Sequence, residues 1–529
     1  MNASISGQAD TSAAIKQAPP SRTPAELEPA GRGGARRWLA LAVVCVSVLL
    51  SVVNATLVNV ALPTLGRDLG ASTTAMQWIV DAYTLVFAGL LLTGGGLGDR
   101  FGRKTTLQIG LVLFAVFSAA AASAATTGQL IAAQAATGVA AALIYPATLA
   151  LLSTIFTERK ERAAAIGVWT AVSGLGVALG PVAGGLLLKH YSWHSLFLVN
   201  LPIVAVALIG GLVLLPNSRA EHAGRFDVVG ALLSIAGVGL LVRTVIEGPT
   251  DGWLSGLTLG GFAGAAVFFV LFGWWELRVA NPLLEVVIFR DRRVTAACVA
   301  IMMAFLGLLG FVFLITQYFQ VIRGYDTLKA GLATLPFAVV LGLMAPVGMA
   351  LTVRIGTRIV VTLGMLSLTA GFVLTATACD ADSNYWGPVV GSMVLMAAGL
   401  AWGTAPATDT IMNALSANRF GAGSAVNDTT REIGAALGIA VIGSVMNQVF
   451  ADRVNRGFAA LGVPAEEASK SVVAAFGVAG RLPEEVAGPA MHTARDAFMS
   501  SVHAGSLAAA TATAGAAVVV AVLMPGRQR

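Results

Sequence analysis

Apolar stretches of 18 to 27 residues alternate with short polar turns along almost the whole chain. A helix needs roughly 20 apolar residues to cross the hydrocarbon core of a bilayer. The pattern therefore predicts membrane-spanning helices near 38–62, 76–98, 105–125, 129–153, 164–188 and 195–216, then near 228–247 and 257–275. Six more follow near 294–316, 333–352, 359–378, 386–412, 424–449 and 506–523. The fold class is an all-α integral membrane protein. Residues 1–37, with Pro19, Pro20, Pro24 and Pro29, read as a disordered cytoplasmic tail with no cleavage-type signal peptide before the first span. Residues 38–216 form an N-terminal six-helix bundle, 217–285 two additional helices, 286–523 a C-terminal six-helix bundle, and 524–529 a second tail. The long segment 451–505 is moderately amphipathic and mixed in charge, and is expected to form surface helices capping the exit.

One predicted helix has an unusual composition. The stretch from Gly167 to Gly185 carries Gly167, Gly176, Gly180, Gly184 and Gly185, and Pro181 in mid-span. In a soluble helix these residues would cost several kcal/mol, at about 1 per glycine and 3 per proline. In a bilayer, small residues let helices approach backbone to backbone, and neighbours re-satisfy a broken hydrogen bond. This helix is made to pack and flex.

Composition removes the soluble alternatives. Hydrophobic residues make up 56% and charged residues 11%, with a mean hydropathy of +0.80. That leaves too little polar surface to clothe a soluble globule of this length. The net charge of +6 does not imply nucleic acid, because the basic residues sit in short clusters between apolar runs. Arg100, Arg103 and Lys104, then Arg159, Lys160 and Arg162, fall on one set of turns, as do Arg219, Arg225, Arg290, Arg292, Arg293, Arg354, Arg358 and Arg419. The opposite turns hold only Arg67, Lys189, Arg323 and Lys329. The positive-inside bias then supports both termini in the cytoplasm and an even number of spans, and the membrane is expected to be a bacterial inner membrane. Cys45, Cys298 and Cys379 are too far apart for a metal or disulfide pattern.

Between the second and third predicted helices lies the turn GGLGDRFGRK, with Gly95, Asp99, Arg100, Gly102, Arg103 and Lys104. Its acid can cap a neighbouring helix while the bases pair with it or with lipid phosphates. This turn resembles the signature loop of the major facilitator superfamily, and the 167–185 glycine pattern resembles that superfamily's antiporter motif. With about 14 spans, and with VNATLVNVALP at 53–63, WHSLFLVNLP at 193–202, Arg225-Phe226-Asp227 and Asn427 to Gly438, the chain is similar to drug:proton antiporters of QacA/EmrB type. The resemblance covers about 38–523. It implies two six-helix bundles related by an axis along the membrane normal, a substrate site near the midplane, rocking of the halves, and a monomeric working unit. It implies a drug-like small molecule and protons as partners beside membrane lipids, and no cofactor.

Two positions depart from that branch. Its members typically carry an aspartate where this chain has Asn54 and an arginine where it has Gln134. Losing both charges together avoids burying either one unpaired. Asp81, in QWIVDAYTL, is the leading substitute: a carboxyl group partly withdrawn from water can take a proton from outside and lose it when the cavity or a cationic drug restabilises the anion. The alternative is a local cap or hydrogen bond. Asp428 and Glu432, four residues apart with Arg431 adjacent, can share a proton, gate the cytoplasmic side, or form a structural ion-pair network. Asp409, and the pair Arg243 and Glu247, read as structural.

The substrate is less legible. Asn54, Gln134, Tyr83, Tyr145 and Trp169 are candidates to line a cavity, and Phe311, Phe313, Tyr318 and Trp402 are further aromatics that can stack on a flat cation or simply pack. Pro146 and Pro406 are expected at bends facing that cavity. No phosphate-binding GxxxxGK[ST] loop, HExxH run or GxSxG elbow occurs, so nothing points to an enzyme or to nucleotide hydrolysis. Three readings follow: a proton-coupled exporter of hydrophobic or cationic drugs or of an antibiotic, a facilitator or metabolite exporter of the same fold with altered coupling, and a non-transporting membrane sensor.

Overall fold

A computed structural model describes residues 30–71, 73–219, 226–416 and 419–525. Every regular element among them is helical. The expected tails at 1–37 and 524–529 therefore lie mostly outside the described residues, as does Arg225. The helices are α1 (Ala30–Asp68), α2 (Thr73–Phe101), α3 (Arg103–Ala122), α4 (Thr127–Ile155), α5 (Arg159–His190), α6 (Ser195–Leu198), α7 (Asn200–Leu214), α8 (Val228–Asp251) and α9 (Gly256–Glu276). Then come α10 (Arg292–Gln317), α11 (Thr327–Ala333), α12 (Leu335–Ile355), α13 (Thr357–Ala378), α14 (Val390–Asn413), α15 (Phe420–Ala460), α16 (Val472–Ala479) and α17 (Glu484–Leu523).

Among the described residues 13 helices are long and apolar enough to span a membrane, or 14 with α5, which bends by 40° between Arg159–Val177 and Leu179–His190. The bend has a local cause. Pro181 has no N–H to give to the carbonyl of Val177, one turn earlier, and its ring crowds that carbonyl. Side-chain caps start several of the other helices: Asp227 accepts from Gly230 N at α8, Ser255 from Thr258 N at α9, Asp291 from Arg293 N at α10, and Asp326 from Lys329 N at α11.

Leu257, Val267, Val270 and Trp274 of α9, Val206 and Ile209 of α7, and Val339 and Leu343 of α12 point outward and are exposed. Such an apolar exterior is stable only where the surroundings are hydrocarbon, so the chain is a multi-pass membrane protein. Helices α1–α7 form one bundle and α10–α17 the other. The hairpin α8–α9 packs on α2 and α15, and Trp253 at its turn donates to Ser444 Oγ of α15 at 2.8 Å.

Residues 451–505, expected as surface helices capping the exit, are built largely from the ends of two membrane helices. Helix α15 runs unbroken past its apolar span to Ala460, α17 begins well before its own span at Glu484, and α16 bridges them. Val454 and Phe458, and Ala490, Ala494, Ala497 and Phe498, are buried at helical spacing, while Asp452, Arg453 and Arg456 face outward. The stripe lets both membrane helices continue as a small water-soluble cap. Arg495 pairs with Asp382 at 2.6 Å and the His503 ring bonds to the carbonyl of Cys379 at 2.8 Å, so the cap rests on the α13–α14 connection.

Candidate functional site: a central cavity closed at one face

The face on which α1 begins is here the tail face, and the opposite one the far face. The tail face is closed by the turn between α2 and α3. The carboxylate of Asp99 accepts from the backbone N–H of Gly421 at 2.9 Å and of Ala422 at 3.1 Å, the first turn of α15. A carboxylate there satisfies donors that the helix cannot and sits at the positive end of its dipole. Arg103 holds the same carboxylate through Nε and Nη2 at 3.1 and 2.8 Å, gives Nη1 to Thr154 at 2.6 Å, and lies over Phe420. Lys104 reaches the carbonyl of Leu212, and Arg100 stays at the surface near the Phe101 ring. Gly95 makes the approach possible. A Cβ on it would strike Gly421 O and sit 2.7 Å from Ala425 Cβ, so only glycine lets the two helices cross this closely.

The glycines of α5 serve two partners. Gly176 and Gly180 face α1, where added Cβ atoms would press on Val52 and overlap Thr56 Oγ1. Gly167 faces Pro346 and Ala345 of α12, and Gly185 faces Leu328 of α11. Gly184 is buried and Pro181 borders the far end of the cavity. Helix α5 is thus held between the two bundles by surfaces stripped of side chains.

Between the bundles lies a cavity of about 470 Å³, next to a second chamber of about 400 Å³ toward the far face that shares Thr56, Asn59, Val177 and Phe313 in its walls. Asn59, Gln77, Thr316, Gln320 and Asn447 are polar, exposed and on its rim at the far face. The walls are mainly apolar, with Val52, Ile246, Leu308, Phe313 and Leu341. Two carboxylates face it: Asp81 of α2 and Glu432 of α15, both half-buried. Neither is in an ion pair or hydrogen bond among the described residues.

At the tail-side end of the cavity an aromatic series crosses from one bundle to the other. Tyr83 stacks on Phe87, Phe87 meets Tyr145 edge-on at 5.7 Å, and Tyr145 meets Trp169 at 5.7 Å. Trp169 in turn lies 4.6 Å from the guanidinium of Arg431, whose other neighbour is the Phe305 ring at 5.0 Å. Tyr83 and Tyr145 line the cavity; Trp169 is fully buried behind Arg431 and does not.

Residues 44–439 match the family described as Major Facilitator Superfamily. The chain belongs to that superfamily. It is 35% identical over 490 residues to the "Multidrug efflux pump LfrA" of Mycolicibacterium smegmatis, covering 92% of this chain and 96% of that protein. It is 34% identical over 482 residues to the "Methyl viologen resistance protein SmvA" of Salmonella typhimurium, covering 90% and 95%. Among solved structures, the crystal structure of the human organic anion transporter MFSD10 (TETRAN) superposes with a TM-score of 0.56 at 15% identity, covering 90% of this chain and 99% of that one, a likeness of fold. The arrangement is the 14-helix major facilitator fold, and membership makes the chain a transporter rather than an enzyme.

Within this facilitator fold, the two neutral positions lie elsewhere than expected. Asn54 is 1% exposed and faces the interior of the first bundle, where Asn200 donates to its Oδ1 at 3.0 Å and to Ser118 at 3.2 Å. Gln134 is 2% exposed against the carbonyl of Ile79 at 3.4 Å. Neither lines the cavity, because each side chain leaves its helix on the face turned to its own bundle. Asp428 is likewise buried outside the cavity wall, accepting from Asn427 at 2.8 Å and Ser424 at 3.4 Å. No ion pair joins it or Glu432 to Arg431, so the structural salt-bridge network considered for this helix does not form among the described residues. Arg243 and Glu247 do pair, at 2.9 Å.

Sequence reasoning did not place Arg431 in the cavity. One signal was available: an arginine inside an apolar helix, about three turns from its start.

Proposed function

We propose that this facilitator exports hydrophobic, often cationic, drug-like molecules or an antibiotic across a bacterial inner membrane in exchange for protons, with both termini cytoplasmic and a monomer as the working unit. The observation that carries the reading is the pairing of a tail face sealed by Asp99 with a large apolar cavity lined by Asp81 and Glu432, neither of them in an ion pair or hydrogen bond among the described residues. A carboxylate in such a place binds either a proton or an organic cation, and mutually exclusive occupancy is the minimum requirement of an antiporter. The relatives' names, a multidrug efflux pump and a methyl viologen resistance protein, support the substrate class. The Lys and Arg bias of the turns supports the orientation, with the tail face cytoplasmic and the cavity open outward. Lys104 and Arg100, at the tail face, are then placed to meet lipid phosphates.

The neutrality of Asn54 and Gln134 favours a second reading, a facilitator with weakened coupling. Efflux of ethidium from proteoliposomes, with and without an imposed pH gradient, separates the two. Gradient-driven efflux that is lost in Asp81→Asn is the expected result. Efflux of equal rate with and without the gradient would overturn proton exchange and leave the facilitator.

A further inference from the structure

Arg431 is 2% exposed and lies about three turns into α15, at the cavity wall. Its guanidinium carbon lies 4.6 Å from the ring centroid of Trp169 and 5.0 Å from that of Phe305, one ring from each bundle. Of its five N–H donors, Nη2 has one long bond to Thr408 Oγ1 at 3.4 Å. Nε and Nη1 are buried without a hydrogen-bond partner among the described residues. No carboxylate lies within ion-pairing distance among the described residues, although two acids share its helix within three positions: Asp428 is occupied by Asn427 and Ser424, and Glu432 faces the cavity.

A buried guanidinium with orphaned donors is costly, and the cost falls when a planar acceptor takes up the free edge. The two rings lie within cation–π distance of the guanidinium, and its side-on edge, Nε without a partner beside Nη2 with only its long bond, matches the two oxygens of a carboxylate. Water alone would supply two separate acceptors to this edge; a carboxylate supplies both at once, with opposite charge. We propose that Arg431 is a substrate-binding residue that selects molecules carrying an aromatic carboxylate, or a planar oxyanion of the same shape, beside the cation that Asp81 and Glu432 accommodate. The preferred cargo is therefore an amphoteric aromatic molecule rather than a simple cation. This rests on the drug-export reading of the cavity and adds a chemical class to it.

Rhodamine B and its ethyl ester test the assignment, because both carry the same cationic xanthene and differ only in whether the pendant aryl carboxylate is free. Binding of each to the full chain in lipid nanodiscs is followed by fluorescence anisotropy near neutral pH. The acid should bind on the order of ten- to a hundredfold more tightly than the ester, the worth of a hydrogen-bonded charge pair. In Arg431→Gln the ratio should fall to about one, and in Arg431→Lys, which keeps the charge but loses the fork, to an intermediate value. The wild-type ratio alone decides the matter if the Gln variant does not fold. Equal binding of the two dyes to the wild-type chain overturns the role given to Arg431 and leaves drug export standing. Failure of both dyes to bind counts against the drug-cavity reading itself, and the assignment falls with it.

Discussion

The carboxylate of Asp99, at the end of the second helix, accepts the backbone N–H of Gly421, 322 residues later in the chain, at 2.9 Å. One residue of the first bundle thus caps a helix of the second, and the cap exists only while the tail face is shut. Charge-assisted bonds of this kind contribute about 1.5–3 kcal/mol. Asp99→Ala should therefore shift the balance between closed and open tail faces roughly 10- to 100-fold toward open. Maleimide labelling of a cysteine placed at Ala425, which now packs against Gly95, should accelerate by that order in a background lacking the three native thiols. Unchanged labelling would show that the contact does not hold the face shut.

Gly180 leaves no room for a side chain beside Thr56. Gly180→Ala should lower stability by about 1–3 kcal/mol through overpacking of α1 on α5. Thr56 spends its hydroxyl only on its own helix, at Val52 and Val53, so removing it is cheap. The double substitution Gly180→Ala with Thr56→Ala should recover most of the loss in thermal unfolding, and independent, additive losses would contradict the contact.

Glu432 and Asp81 enter the cavity from opposite bundles. Glu432→Gln should weaken binding of the cationic rhodamine ester about fivefold or more, as expected for loss of one partly buried charge contact. Its effect on gradient-driven efflux should be smaller than that of Asp81→Asn if the proton is carried mainly on α2. A Glu432→Gln transporter that ignores the pH gradient while Asp81→Asn still obeys it would move the proton site to α15.

Among the described residues Asn54 has a single donor, Asn200 Nδ2, and its own Nδ2 finds no partner. Asn54→Asp would place a second carboxylate oxygen where no donor waits, in a position 1% exposed. The penalty for such a charge is several kcal/mol. Expression and melting temperature of this variant should both fall well below those of wild type, and an unaltered melting curve would mean that water or another donor reaches the site.

Most of the architecture is legible in the sequence because a bilayer enforces it. An apolar run of spanning length has one stable conformation there, so the spans at 129–153 and 359–378 lie within α4 and α13. Beyond the bilayer that constraint ends. The continuation of α15 to Ala460 and the early start of α17 depend on Phe458 and Phe498 being buried in a cap assembled from three separated segments, and no local pattern names that partnership. The site shows the same division. Asp81 and Glu432 are conspicuous as acids in apolar helices, whereas the exclusion of Asn54 and Gln134 from the cavity depends on how α1 and α4 are rotated against their neighbours. Trp169 illustrates it most plainly, since its seat behind Arg431 needs side chains of α5 and α15 to meet, a relation between residues 262 positions apart.

Helix α15 is 41 residues long, about 60 Å at 1.5 Å per residue, and it runs unbroken from the Asp99 contact, past Arg431 and Glu432, to Phe458 in the cap. A rod of that length is a lever. When its first turn swings away from Asp99, its last turn must travel too, carrying α16 and the head of α17 with it. The cap is then a pointer outside the bilayer that reads the state of the gate at the other face, and a protein binder that pins the pointer would stall the pump without ever entering the cavity.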